Sequence, residues 1–183
     1  MALSSTVRTF TLELAHIDRH VYETLSFKVA QHPSEHHERV VVRVLARALA
    51  HEEGLAFGRG LSTVEDPALH LTDATGQIVH WIDVGAPAAN RLHKASKQAR
   101  RVSVFTDKNP ANLTNEWRGQ KIHQAAAIDV FHLDTEAVSA LAEGLQKQNA
   151  WSVTVTEDYV NVGVGETSTG FQLARTTVEA LQA

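Results

Sequence analysis

Apolar and polar residues alternate twice near the start of the chain. Phe10, Leu12 and Leu14 alternate with Thr11 and Glu13, and Leu25, Phe27 and Val29 with Ser26 and Lys28. A period of two predicts half-buried strands. The polar stretch Ala15 to His20 between them predicts a turn, so the chain opens with a hairpin. Pro33 and Ser34 then start a helix, with Ser34 as N-cap and Glu35 in the first turn, where the helix dipole favours an acid. It runs to about Glu52 and stops before Gly54. Leu55 to Phe57 predicts a short strand, and Gly58, Gly60 and Pro67 mark a loop-rich stretch. Ile78 to Val84 predicts a longer strand, ending at Gly85. Pro87 lies near the start of a second helix that reaches about Ala99, with Ala88, Leu92, Ala95 and Ala99 as its apolar stripe.

The second half continues in the same alternation. Val102 to Thr106 and Ile128 to Leu133 predict strands, separated by Asn109 to Gln124, which is helical in parts. Asp134 caps a helix carrying Val138, Leu141 and Leu145, and a second hairpin follows with Glu157 and Asp158 between its arms. Gly165 to Ala183 shows no period. No repeat or linker divides residues 1–183, so the pattern predicts a single α/β (α+β) domain, a central mixed sheet flanked by helices with an N-terminal hairpin.

Composition narrows this little. Seventeen Lys and Arg against 21 Asp and Glu give a formal net charge of −4, which excludes a strongly basic coat for nucleic acid but not a local basic face. The absence of cysteine removes disulfides, thiolate zinc sites and thiol nucleophiles. Together with Met1 to Arg8, which lacks the charge and apolar run of a secretory signal, it predicts a cytoplasmic protein. No apolar run approaches the roughly 18 residues of a membrane span.

Two carboxylates break the apolar pattern. On a helical wheel, Val41, Val42, Leu45 and Leu49 fall within about 60° of Glu38, which puts an acid in the buried stripe. Asp83 sits near the carboxyl end of a strand that is apolar on both faces, where open α/β sheets place their ligands. Each is costly to bury without a partner, so both are expected to open onto one cleft. Either also has a structural reading, as a helix-end or strand-end acid. Two basic rows complete the inventory: Arg39, Arg43 and Arg47 on the first helix, and Arg91, Lys94, Lys97, Arg100 and Arg101 on and after the second. Such rows are ordinarily solvated faces; together they form a patch that can hold phosphate. The 11 histidines show no zinc-ligand spacing, and no Walker A loop or G-x-S-x-G elbow is present.

Three ordered blocks then resemble the YaeQ family. The first is Asp18-Arg19-His20, Ala30 to Glu35, Glu38-Arg39, Val42-Arg43 and Leu45-Ala46. The second is Gly58 to Thr63 followed by Glu65, Asp66 and Pro67, and the third is Trp81 to Pro87 with Arg91, Lys94 and Ala95. The likeness covers about residues 1 to 106. It implies a variant of the PD-(D/E)XK nuclease-like fold, with a core of helix, three strands, helix, strand. It also implies roles: Glu38 as the first-helix acid, an acid of the loop after Thr63 (Asp66 or Glu65) and Asp83 as Mg²⁺ ligands, and a lysine beside them. The chain departs from that pattern at Gly85, where the lysine would stand, and at Ala68, where an aspartate would. Lys94 is the lysine placed to substitute, and Arg91, Lys94 and Lys97 are the expected contacts to nucleic acid. Two functions follow. One is a nucleic-acid-binding or partner-binding regulatory module, linked to transcription, with a degenerate metal site. The other is a Mg²⁺-dependent phosphodiesterase acting on DNA or RNA.

Overall fold

A computed structural model describes residues 4–60 and 63–183. Met1 to Leu3 of the N-terminal reading, and Leu61 and Ser62 of the second block, lie outside the described residues. The opening hairpin forms as its alternation predicts. Strand β1 (Thr6–His16) pairs antiparallel with β2 (Val21–Gln31), and the turn is shorter than expected, closing at His20 in the left-handed region. Helix α1 (His37–Leu49) follows. Then come β3 (Ala56–Phe57), β4 (Leu69–Thr72), β5 (Ile78–Val84), α2 (Ala89–Gln98) and β6 (Arg101–Thr106). The remainder is α3 (Pro110–Trp117), β7 (Ile128–His132), α4 (Thr135–Glu143), β8 (Gln148–Thr156), β9 (Tyr159–Val164), β10 (Thr167–Gln172), β11 (Ala174–Thr177) and α5 (Val178–Gln182).

There are two mixed sheets where one was expected. One has the order β10-β9-β8-β1-β2 and the other β11-β7-β6-β5-β4-β3. The first is tied together by a parallel pairing of β1 with β8, which sets Leu12 beside Trp151. In the second, β5, β6 and β7 run parallel, while β4 and β11 are antiparallel to their neighbours. Helices α1 and α4 pack between the sheets: Val40, Leu45 and Val138 share one core with Leu12 and Val153 of the first sheet and Ile82, Val84 and Phe105 of the second. Leu92, Ala95, Leu113 and Val178 of α2, α3 and α5 cover the other face of the second sheet, with Trp81 and Val104.

This layering explains where the sequence reading of α1 departs from the structure. Every residue from Val40 to Ala46 is buried, because the helix meets apolar surface on nearly all sides. A wheel with one buried stripe therefore misplaces Glu38, which is half-buried near the helix start. The N-cap is also His36, not Ser34, and the helix ends at Leu49 rather than Glu52. Ser34 Oγ is engaged by the His32 ring at 2.7 Å, and Glu35 is turned into the protein. At α4 the expected cap does form: Asp134 Oδ1 accepts from the Ala137 amide at 2.8 Å.

Candidate functional site

Asp83 lies at the end of β5 on the same face as Trp81, toward α2, and is only 3% exposed. Its carboxylate is met by Arg91 from the first turn of α2. Arg91 Nε donates to Oδ2 at 2.8 Å and Nη2 to Oδ1 at 2.7 Å, a bidentate pair. The same guanidinium reaches the loop before β4. Nη2 donates to the Asp66 carbonyl at 2.6 Å and Nη1 to the Val64 carbonyl. Its carbon also stands 5.3 Å from the Trp81 ring centroid, where a cation over an aromatic face is favoured. The chain can make this approach because Gly85, with φ of +83°, turns it out of β5 toward α2. That left-handed conformation suits glycine and strains a lysine, which accounts for the departure at this position.

Asp66 borders the same cavity of about 230 Å³, together with Arg39, Arg43, Thr63, Asp83 and Arg91. Its carboxylate is held by Arg59, with Nε to Oδ2 at 2.6 Å and Nη2 to Oδ1 at 2.9 Å. These bonds hold its carboxyl below the usual carboxylate range. The loop is closed at its base by Gly58, whose N–H donates to the Ala68 carbonyl at 2.9 Å. A Cβ at Gly58 would come 2.0 Å from the Pro67 carbonyl oxygen, so only glycine allows this contact.

The sequence-predicted residues are therefore only partly brought together. Asp66 and Asp83 share a cavity, each occupied by its own arginine. Glu38 does not join them: α1 packs against the Ile82 and Val84 face of β5, opposite Asp83, and Glu38 lines a separate cleft with Gly85, Asp107 and Lys108. The expected common cleft of Glu38 and Asp83 does not form. The cation at Asp83 is Arg91, not Lys94. Lys94 is exposed on a shallow cleft beside Glu65 and Trp81, and Lys97 is exposed further along α2.

A divalent ion does not fit the site as it stands. Both Asp83 oxygens and the two nearest loop carbonyls already hold the Arg91 guanidinium, and no cluster of three metal-binding side chains occurs among the described residues. Glu35 is a buried acid that pattern reading missed. Its side chain is 1% exposed, with Arg39 Nη1 at 2.7 Å from Oε1 and Arg43 Nη2 at 2.8 Å from Oε2. The signal was the spacing: Glu35, Arg39 and Arg43 stand four residues apart in succession, which aligns them on one side of a helix start.

A second polar cluster occupies the other end of β5. His80 Nε2 and Ser103 Oγ are 3.0 Å apart, on the wall of a cavity of about 640 Å³ lined also by Glu52, Arg101 and Asp129. Burial, and then the neighbouring Arg101 charge, push the His80 imidazole down to about 4.

The comparisons with known proteins agree on the family. The family described as YaeQ protein matches residues 1–173. The uncharacterised YaeQ protein of Escherichia coli K12 is 30% identical over 161 residues, covering 87% of this chain and 89% of that protein. The crystal structure of YaeQ protein from Pseudomonas syringae superimposes with a TM-score of 0.85 at 33% identity, covering 94% of this chain and 96% of that one. That of YaeQ protein from Xanthomonas axonopodis pv. citri gives 0.79 at 32% identity, over 95% and 98%. No helix among the described residues is long and apolar enough to cross a membrane. The expected family is thus the observed one, and the chain belongs to the YaeQ family.

Proposed function

We propose that the chain is a nuclease-like module of the PD-(D/E)XK type that binds nucleic acid, or a transcription-related protein partner, in the cytoplasm without a working metal site. The element order from α1 to β6 supports the fold: helix, three strands, helix, strand. The observation that carries the function is the Arg91–Asp83 pair. A guanidinium held by two carboxylate oxygens and two carbonyls has taken the coordination that a hard cation such as Mg²⁺ would need. Arg91 is thereby withdrawn from phosphate binding. Lys94 and Lys97 remain exposed on α2, a helix that contains no acidic residue, and they are the side chains for phosphate contact.

Fluorescence anisotropy with labelled DNA and RNA tests this. Binding is expected to survive EDTA, and Lys94→Ala with Lys97→Ala should reduce the salt slope by about two. An unchanged slope places the binding face elsewhere. A Mg²⁺-dependent phosphodiesterase is the second reading, favoured by Asp66 and Asp83 bordering one cavity at the end of β5. It requires Arg91 to leave Asp83, and cleavage by the wild type that is lost on Asp83→Ala would establish it.

A further inference from the structure

The five-stranded sheet has two unlike faces. Phe10, Leu12 and Leu14 of β1, with Trp151 and Val153 of β8, point into the core that holds α1 and α4. The residues between them point outward and are exposed or half-buried from end to end. Three of the five large hydrophobic side chains exposed among the described residues stand on this outer face: Val7 at 47%, Tyr22 at 61% and Tyr159 at 51%. Threonine, serine and alanine fill its middle, and the only charged residues facing outward on β2, β1 and β8 are Glu13 and Lys28. Small side chains make the surface flat. Exposed tyrosine together with little charge is a feature of surfaces that are covered by another protein.

The strand register shows what such a surface fits. Across β1 and β2, Ala15 faces Tyr22, Glu13 faces Thr24, Thr11 faces Ser26, Thr9 faces Lys28 and Val7 faces Ala30. Ala150 of β8 continues the central row of Thr11 and Ser26. Tyr22 stands as far from that row on one side as Ala30 does on the other, and Glu13 as far on one side as Lys28 on the other. Glu13 and Lys28 are separated by about 13 Å along the strands, too far to pair within one chain. A two-fold axis running across the strands at the central row lays the face of a second copy over this one with its strands reversed. Tyr22 of each copy then covers Ala30 and Val7 of the other, large over small, and Glu13 of each meets Lys28 of the other. A contact between identical faces needs this self-complementarity.

We infer that the outer face of this sheet is the docking surface for a second copy of the chain, with the two-fold axis at the row of Thr11 and Ser26. Stacked sheets approach to about 10 Å with their strands nearly aligned, and the small central side chains permit that approach. Three strands about 4.8 Å apart, over five outward rows about 6.7 Å apart, present about 500 Å² per copy. The pair then buries about 1,000 Å², the lower limit of a specific interface, and this corresponds to association in the micromolar range. Nucleic acid fits the face poorly, because Lys28 is offset by Glu13 and no other positive charge points outward there. The sheet contains neither Asp83 nor Lys94, so the contact holds or fails independently of the proposed function.

Sedimentation velocity of the full chain between about 1 and about 300 μM is the experiment, and a reversible monomer–dimer equilibrium with micromolar Kd is expected. Thr11→Arg sets two like charges together at the axis and should weaken association about tenfold or more. Glu13→Lys should weaken it in the same sense. Glu13→Lys with Lys28→Glu should restore it, because the reciprocal pair re-forms with its signs exchanged. Thr11, Glu13 and Lys28 all face outward, so each variant should unfold at the wild-type temperature when dilute enough to be monomeric. A chain that stays monomeric over the whole range overturns the proposal and leaves the face to a different partner. Association that Thr11→Arg leaves intact, or that the exchanged pair fails to restore, overturns it as well.

Discussion

Strand β5 buries a polar side chain at each end, Asp83 at its carboxyl end and His80 nearer its start, and the two are accommodated by opposite means. Asp83 keeps a guanidinium, delivered from α2 eight residues later and bonded to both carboxylate oxygens. His80 has charged neighbours too, but Arg101 and Glu52 are spent on each other, with Arg101 Nη2 at 2.6 Å from Glu52 Oε1. Its Nδ1 stands 3.8 Å from that same oxygen, too far for a hydrogen bond. Burial therefore wins at His80, and the imidazole is neutral at pH 7. The same strand thus holds a charged pair at one end and a discharged group at the other. What differs is whether the fold delivers an unspent counter-charge with bidentate geometry. The two ends should accordingly fail under different insults, the first to mutation and the second to acid.

Removing Arg91 is the largest expected effect. Arg91→Ala leaves a buried carboxylate and two loop carbonyls without a donor, and stability measured by urea unfolding should fall by about 3–5 kcal/mol. Replacing the pair together, Asp83→Leu with Arg91→Leu, should recover most of that loss, since apolar groups in place of a buried ion pair are often neutral. If Arg91→Ala costs under about 1 kcal/mol, the carboxylate is reached by water and the contrast with His80 fails.

How much of this was legible in the sequence follows the range of the interactions. The first hairpin, β5 and the Asp134 cap are specified by neighbours in the chain, and their patterns show directly. Pairing of β1 with β8 joins Leu12 to Trp151 across most of the chain, and no local period reports it. It is also what encloses α1 and defeats a one-stripe wheel. In the C-terminal stretch, β10 buries only Phe171, so its polar neighbours give no alternation. At the site, Asp83 was readable as a carboxylate in an apolar strand. Its partner was not, because Arg91, Lys94 and Lys97 are equally basic in sequence. The choice among them is made by where α2 starts after Gly85, which puts Arg91 in the first turn beside the strand end. Glu35 was hidden by a plausible N-cap at Ser34, one residue before it.

Acid should act chiefly at the other end of β5. The folded pKa of His80, about 4, lies below its ordinary value of 6.5. Above pH 6.5 neither the folded nor the unfolded chain carries the proton, and the contribution to stability is full. Between 6.5 and 4 the unfolded chain takes up a proton that the folded one refuses, so stability falls as pH falls. Below 4 both forms carry it and the loss stops. The fall amounts to about 3 kcal/mol for this group. Urea unfolding across that window should show a decline that is shallower in His80→Gln by this amount. A wild type and variant that fall in parallel would mean that His80 keeps its charge after all, as Asp83 does.

Glu52 provides the finest test of why the two ends differ. Glu52 attracts a proton to His80 and Arg101 repels one, while burial is the largest influence, so Glu52 only moderates the effect of burial. Glu52→Gln removes that moderation and frees Arg101 from its partner. Both changes disfavour the charged imidazole, and the His80 titration, followed by its ring-proton NMR shifts, should move further down. Stability at pH 7 should change by no more than about 0.5 kcal/mol, because the Arg101–Glu52 pair is solvent-exposed and His80 is neutral there. A large loss at pH 7 would mean that Glu52 acts as a true counter-charge to a protonated His80. The two ends of β5 would then be stabilised in the same way, by ion pairs of unequal strength. A titration that moves upward would mean instead that Arg101, released from Glu52, leaves the imidazole, and that its repulsion had outweighed the attraction of Glu52.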